Sequence, residues 1–104
     1  MAVKLAFIVQ APDGDPSKHR STIKTSKAEM TTIVVERFNF DQAEEVCKEL
    51  AQDGIDCVFL CPGFSHKAVA RMADVLGDKV AIDVARGDGP AAMIMGQLLA
   101  REQW

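Results

Sequence analysis

Short runs of apolar, β-branched and aromatic residues alternate with stretches whose apolar positions recur at helical spacing, and this alternation restricts the possible folds more than any other feature of the chain. Val3 to Val9 is apolar except for Lys4, as expected of a strand covered on both faces. Asp15 followed by Pro16 pairs a capping side chain with a proline suited to the first helical position, which predicts a short helix through about Ile23. Thr31 to Arg37 is β-branched and predicts the second strand, with the polar stretch from Thr25 to Met30 as its approach. An alternative makes Ser21 to Thr25 a strand hairpinned to Thr31–Arg37. The absence of an Asn-Gly or Asp-Gly turn favours the helix.

From Asp41 to Asp53 the apolar Ala43, Val46, Cys47, Leu50 and Ala51 share one helical face, with Asn39 or Asp41 able to cap the start and Gly54 suited to the stop. Ile55 to Cys61 predicts the third strand. Pro62-Gly63-Phe64-Ser65 then leads into a helix striped with Ala68, Val69, Met72, Val75 and Leu76 and ended by Gly77. Val80 to Ala85 predicts the fourth strand, Arg86 to Gly89 a turn, and Pro90 the start of a last helix running to about Glu102. Four successive strand–helix units imply right-handed crossovers and an α/β fold. The expected form is a small three-layer sandwich on a mostly parallel four-stranded sheet, flavodoxin-like or Rossmann-like; half of an eightfold barrel would give the same pattern. The 104 residues suit a single domain spanning 1–104.

The formal net charge is −3 and the twelve Lys and Arg are scattered, which argues against a nucleic-acid binder. Apolar runs such as Leu5–Val9 and Ala91–Met95 fall far short of the ~20 residues that span a bilayer, and no secretory cleavage pattern follows the first residues. A cytoplasmic protein with no membrane partner is expected. Cys47, Cys57 and Cys61 are too few and odd in number for a disulfide framework. The last helix is apolar nearly all round: Ala91, Ala92, Met95, Leu98 and Leu99 form one stripe, and Met93, Ile94 and Ala100 extend it. Such a helix needs cover on both sides, which predicts a homo-oligomer formed through it with Trp104 as an anchor; the alternative is an enclosed core helix.

In open parallel sheets ligands bind beyond the carboxyl ends of the strands. That rule selects Gln10 to Arg20, Cys61 to His66, and Arg86 to Pro90, and both histidines of the chain, His19 and His66, lie in this set. Cys61-Pro62-Gly63-Phe64-Ser65-His66 reads as an anion cradle, with Gly63 allowing close backbone approach and Ser65 capping the next helix. Arg86 and Arg20 are the cations able to pair with a carboxylate or phosphate, and Arg86-Gly87-Asp88-Gly89 is either the second half of the cradle or a plain turn. Cys61 as a nucleophile at a helix start is a further possibility, against a buried structural thiol. Asp56 and Asp83 fall inside strands, where each carboxylate needs a partner or an edge. There is no Walker loop, no dinucleotide turn, and no CxxC or HxxxH, so neither a cofactor nor a metal is expected.

The segment Asp15-Pro16 with His19-Arg20, and Cys61 with Gly63-Phe64, resemble the DPxxHR and CxGF segments of a family of roughly 100-residue prokaryotic proteins of unknown function. The resemblance covers nearly the whole chain and implies no activity. The residues themselves lead to a protein binding a small anionic metabolite at the carboxyl edge of its sheet. Arg20, Arg86 and Asp88 join Cys61, Gly63, Phe64 and Ser65 as ligand contacts, and His66 or His19 would move protons if there is catalysis. The competing expectation is a non-catalytic interaction module that uses its apolar C-terminal helix.

Overall fold

The first strand is also the central one. In a computed structural model, which describes residues 1–87, 89 and 92–104, β1 (Val3–Ala11) is flanked on both sides by parallel partners. The further elements are β2 (Arg20–Lys24), β3 (Ala28–Glu36), α1 (Phe40–Gln52), β4 (Cys57–Leu60), α2 (His66–Leu76), β5 (Ala81–Val84) and α3 (Ala92–Arg101). The described strands form one mixed sheet in the order β2-β3-β1-β4-β5, with β2 antiparallel to β3 and every other pair parallel.

Two expectations are corrected here. The sheet has five strands rather than four, because the helix expected from Pro16 to Ile23 is replaced by a turn and then by β2, the hairpin partner of β3. Asp15 does cap a turn: the amides of Lys18 and His19 both donate to its carbonyl, at 3.0 and 2.8 Å. The helix stops there because the carbonyl of Pro16 accepts from the Arg20 side-chain Nε at 2.7 Å, while the Arg20 backbone enters the ladder opposite Ile33. The hairpin closes without glycine. Thr25 Oγ1 accepts from the amides of Lys27 and Ala28, at 3.2 and 3.0 Å, and so replaces the expected turn dipeptide.

The second correction concerns the layers. Ala6, Ile8, Ile33, Val35, Val58 and Leu60 alternate along three adjacent strands onto one face. There they form a single core with Ala43, Val46, Cys47 and Leu50 of α1 and with Ala68, Met72 and Leu76 of α2. Cys47 Sγ lies 3.5 Å from Met72 Sδ at the helix contact. Asn39 caps α1 and Ser65 caps α2, while Gly77 ends α2 in the left-handed region at φ 82°. The opposite face, with Leu5, Phe7, Val9, Val34, Cys57 and Phe59 half-buried, has no comparable layer among the described residues. Phe7 and Phe59 stack there with ring centroids 4.9 Å apart. Helix α3 buries none of its described residues, and Met93 is 77% exposed. The arrangement is therefore two packed layers plus a peripheral helix, not a closed three-layer sandwich.

The strand carboxylates are accommodated simply. Asp56 accepts from the Lys4 backbone amide at 2.8 Å, and Asp83 is exposed on β5, the edge strand.

A candidate site at the carboxyl edge of the sheet

The chain leaves β1 toward β3 on one side and leaves β4 toward β5 on the other, so the carboxyl ends of these neighbours part and open a crevice between them. A cavity of about 470 Å³ occupies this position. Val9 and Gln10 from β1, Arg37 from the end of β3, and Cys61, Pro62 and Gly63 form its floor and sides. Met95, Leu98, Leu99 and Trp104 close it from the α3 side, with Arg101 and Glu102 at the margin.

Gln10 continues the inward alternation of Ala6 and Ile8 and is only 9% exposed. Its Oε1 accepts from the Phe38 amide at 3.0 Å. That bond fixes which end of the amide is nitrogen, and Nε2 is left buried without a partner beside Gly63. The Arg37–Phe38 turn is held against β1 by a second bond, from the Arg37 amide to the Ala11 carbonyl at 2.9 Å, and Phe38 takes a left-handed φ of 63°. The Arg37 guanidinium lies 4.5 Å from the Phe38 ring centroid, and its Nη1 is, among the described residues, the other buried polar side-chain atom without a partner. Two residues that line one largely apolar cavity thus each carry an orphaned donor, left with a desolvation cost of about 1–3 kcal/mol.

The residues expected to act together are divided by the fold. His66 and Arg86 share a neighbouring hollow of about 540 Å³ with Phe64, Ser65, Val69 and Val84, and Pro62 belongs to both hollows. Phe64 is a core residue, 5% exposed and 5.7 Å from the Phe40 ring, and Ser65 Oγ is engaged with the Ala68 amide at 3.2 Å. Cys61 and Gly63 face the crevice instead. Asp88 lies outside the described residues.

His19 and Arg20 line neither hollow. His19 Nδ1 accepts from the Asp15 amide at 3.0 Å, and Arg20 holds Pro16 and, at 3.4 Å, Glu49 of α1. Asp15 also accepts from the Ser17 hydroxyl and amide. Those two bonds, hydroxyl first, hold its carboxyl below the usual range. The DPxxHR segment is therefore a self-bonded turn pinned to α1, and it does not join His66 and Arg86. Of the other thiols, burial and then Glu44 push Cys47 up to about 12, while burial and then Asp83 raise Cys57.

Residues 3–98 match the model of a family of unknown function, DUF6506. The chain belongs to that family. The matched span contains both turn segments and the crevice residues Gln10, Arg37, Cys61, Gly63, Met95 and Leu98, while Leu99 and Trp104 lie beyond it. No curated protein and no solved structure matches the chain. Among the described residues no three His, Cys, Asp or Glu side chains gather as metal ligands would, and no helix is long and apolar enough to cross a membrane.

Gln10 opens the segment that the carboxyl-end rule selects but is not among the ligand contacts expected from the sequence, and Arg37 lies outside every selected segment. The signal was a polar residue continuing an otherwise apolar strand, and a cation at the carboxyl end of the one strand whose following loop was passed over.

Proposed function

We propose that the protein binds a small anionic molecule at the carboxyl edge of its sheet, in the crevice between β1 and β4 beneath α3. The observation that supports this reading is that two residues lining one cavity, Gln10 and Arg37, each carry a buried, unpartnered donor, Nε2 and Nη1. An acceptor group in the cavity toward which these side chains turn recovers the hydrogen bonds that both lack. The cavity size falls within the range of small-molecule sites, and its position is where open α/β sheets place ligands. His66 and Arg86 lie around Pro62 from this crevice, so the proposal is binding, with no catalytic role assigned to His19 or His66.

The test is to denature the protein as purified and analyse the released small molecules by mass spectrometry, alongside an Arg37→Gln preparation. A stoichiometric anionic compound released by the wild type and depleted in the variant supports the site. A compound retained equally by both, or none recovered together with no response of Trp104 fluorescence to any added anion, refutes it. Trp104 is the only tryptophan of the chain and walls the crevice, so its emission reports occupancy directly.

A second reading rests on a separate observation. Met93, Ile94, Met95 and Leu98 stand exposed on a helix that buries nothing, which favours self-association through α3. Met93 does not line the crevice, so Met93→Glu should lower the sedimenting mass without affecting ligand retention; an unchanged mass removes this reading.

A further inference from the structure

The chemistry of the crevice specifies its occupant more narrowly. Resting on the binding site proposed above, we infer that the ligand is a monocarboxylate carrying an apolar body, with its head at Gln10 and Arg37 and its body against α3.

The head must accept hydrogen bonds. Gln10 Oε1 is already taken by the Phe38 amide, so the unpartnered atoms of the two lining side chains nearest β1, Gln10 Nε2 and Arg37 Nη1, are both donors. The charge is a single negative one. Arg101 at the margin is matched by Glu102, Nε to Oε2 at 2.7 Å, whereas among the described residues no carboxylate pairs with Arg37. One uncompensated guanidinium calls for one anion, and a planar carboxylate fits its fork of N–H groups.

A phosphate monoester fits less well. Its second charge would meet apolar walls, where an unpaired charge is costly. The neighbouring loop also has fewer amides to offer, because Phe64 N–H is turned back onto the Cys61 carbonyl at 3.2 Å and the Ala68 amide is held by Ser65. The body is set by the rest of the lining: Val9, Met95, Leu98 and Leu99 carry apolar side chains, and the Trp104 indole stands beside them. At the ~30 Å³ that a water-sized unit occupies, the cavity admits on the order of ten to fifteen non-hydrogen atoms. Octanoate falls at the lower end of that range.

The experiment titrates the full chain with octanoate, 1-octanol, octyl phosphate and acetate, read by Trp104 fluorescence and by calorimetry. Octanol keeps the body without the charge, octyl phosphate adds charge, and acetate keeps the head alone. Octanoate should bind at least about tenfold more tightly than each of the others, the factor expected when a charge-assisted hydrogen bond is made or lost. Arg37→Gln should abolish the preference over octanol, and Leu98→Gln should weaken octanoate while leaving acetate unchanged.

Octanol or octyl phosphate binding as tightly as octanoate, with Trp104 responding, overturns the carboxylate assignment and leaves the crevice as a site. Silence of Trp104 toward all four probes overturns the assignment and the site together. A preference for octanoate that survives Arg37→Gln in a variant with wild-type circular dichroism overturns the placement of the head.

Discussion

Replacing Gly14 with alanine tests whether the turn after β1 packs as tightly against the sheet as its geometry implies. A Cβ at Gly14 would lie 2.3 Å from the Val35 carbonyl oxygen and 2.6 Å from its carbon, both backbone atoms of β3 in register with Gln10. Backbone paired in a ladder does not give way as a flexible side chain does. The turn must move instead, which disturbs its closing bond from the Gly14 amide to the Ala11 carbonyl at 3.0 Å. Overpacking costs about 1–3 kcal/mol and a disturbed hydrogen bond about 1 more, against ~0.4–1 returned by a stiffer unfolded chain. The net loss is about 2 kcal/mol, a fall in Tm of roughly 8–16 °C for a domain of this size. Gly96 supplies the opposite sign. It sits inside α3 with no heavy atom within 4 Å of a built Cβ, so Gly96→Ala should gain about 0.5–1 kcal/mol. Urea and thermal unfolding followed by circular dichroism measure both. A Gly14→Ala protein within about 1 kcal/mol of wild type, or equal losses at both positions, would refute the packing argument.

Two further outcomes follow from groups described above. Cys47 keeps its proton to about pH 12 when folded but has an ordinary value near 9.0 when unfolded, so the folded state holds the extra proton between them. Stability should therefore fall as pH rises through that window, on the order of 1 kcal/mol per pH unit, and Cys47→Ala should remove most of this slope from urea titrations run at pH 8 to 10.5, leaving the part that the raised Cys57 contributes. Ser65→Ala deletes the α2 cap to the Ala68 amide and should cost about 1 kcal/mol, with Ser65→Asp retaining most of it; an Ala variant as stable as wild type would show that the cap contributes nothing.

The elements legible in the sequence were those whose burial follows a period. Ala43, Val46, Cys47 and Leu50 mark α1, and Ala68, Met72 and Leu76 mark α2, because each helix has one face in the core. β2 offered no such sign: all five of its residues are exposed, so no alternation was imposed on them, and its turn is closed by a threonine hydroxyl rather than by glycine. The Asp15-Pro16 signal starts a turn rather than the helix it suggests, because the Arg20 side chain, which ends the turn, acts four residues downstream through a contact that local propensity does not contain. The site was legible as an edge and not as a residue set. The carboxyl-end rule led to Cys61 and Gly63, but which loops share a hollow depends on the strand order. β3 lies beside β1, which brings Arg37 to the crevice, and β2 carries His19 and Arg20 elsewhere.

The central position of β1 also sets an order of events during synthesis. Its first neighbour, β3, follows within the next few dozen residues, tethered by the β2–β3 hairpin, and hairpins form within about 10 μs. Its second neighbour, β4, begins only at Cys57. At 5–20 residues per second, roughly one to four seconds separate the emergence of Glu36 from that of Cys57. For that interval β4 is not yet available, so any sheet formed by β1, β2 and β3 leaves the Leu5–Ile8 edge of β1 open, and another nascent chain at the same stage presents the same edge.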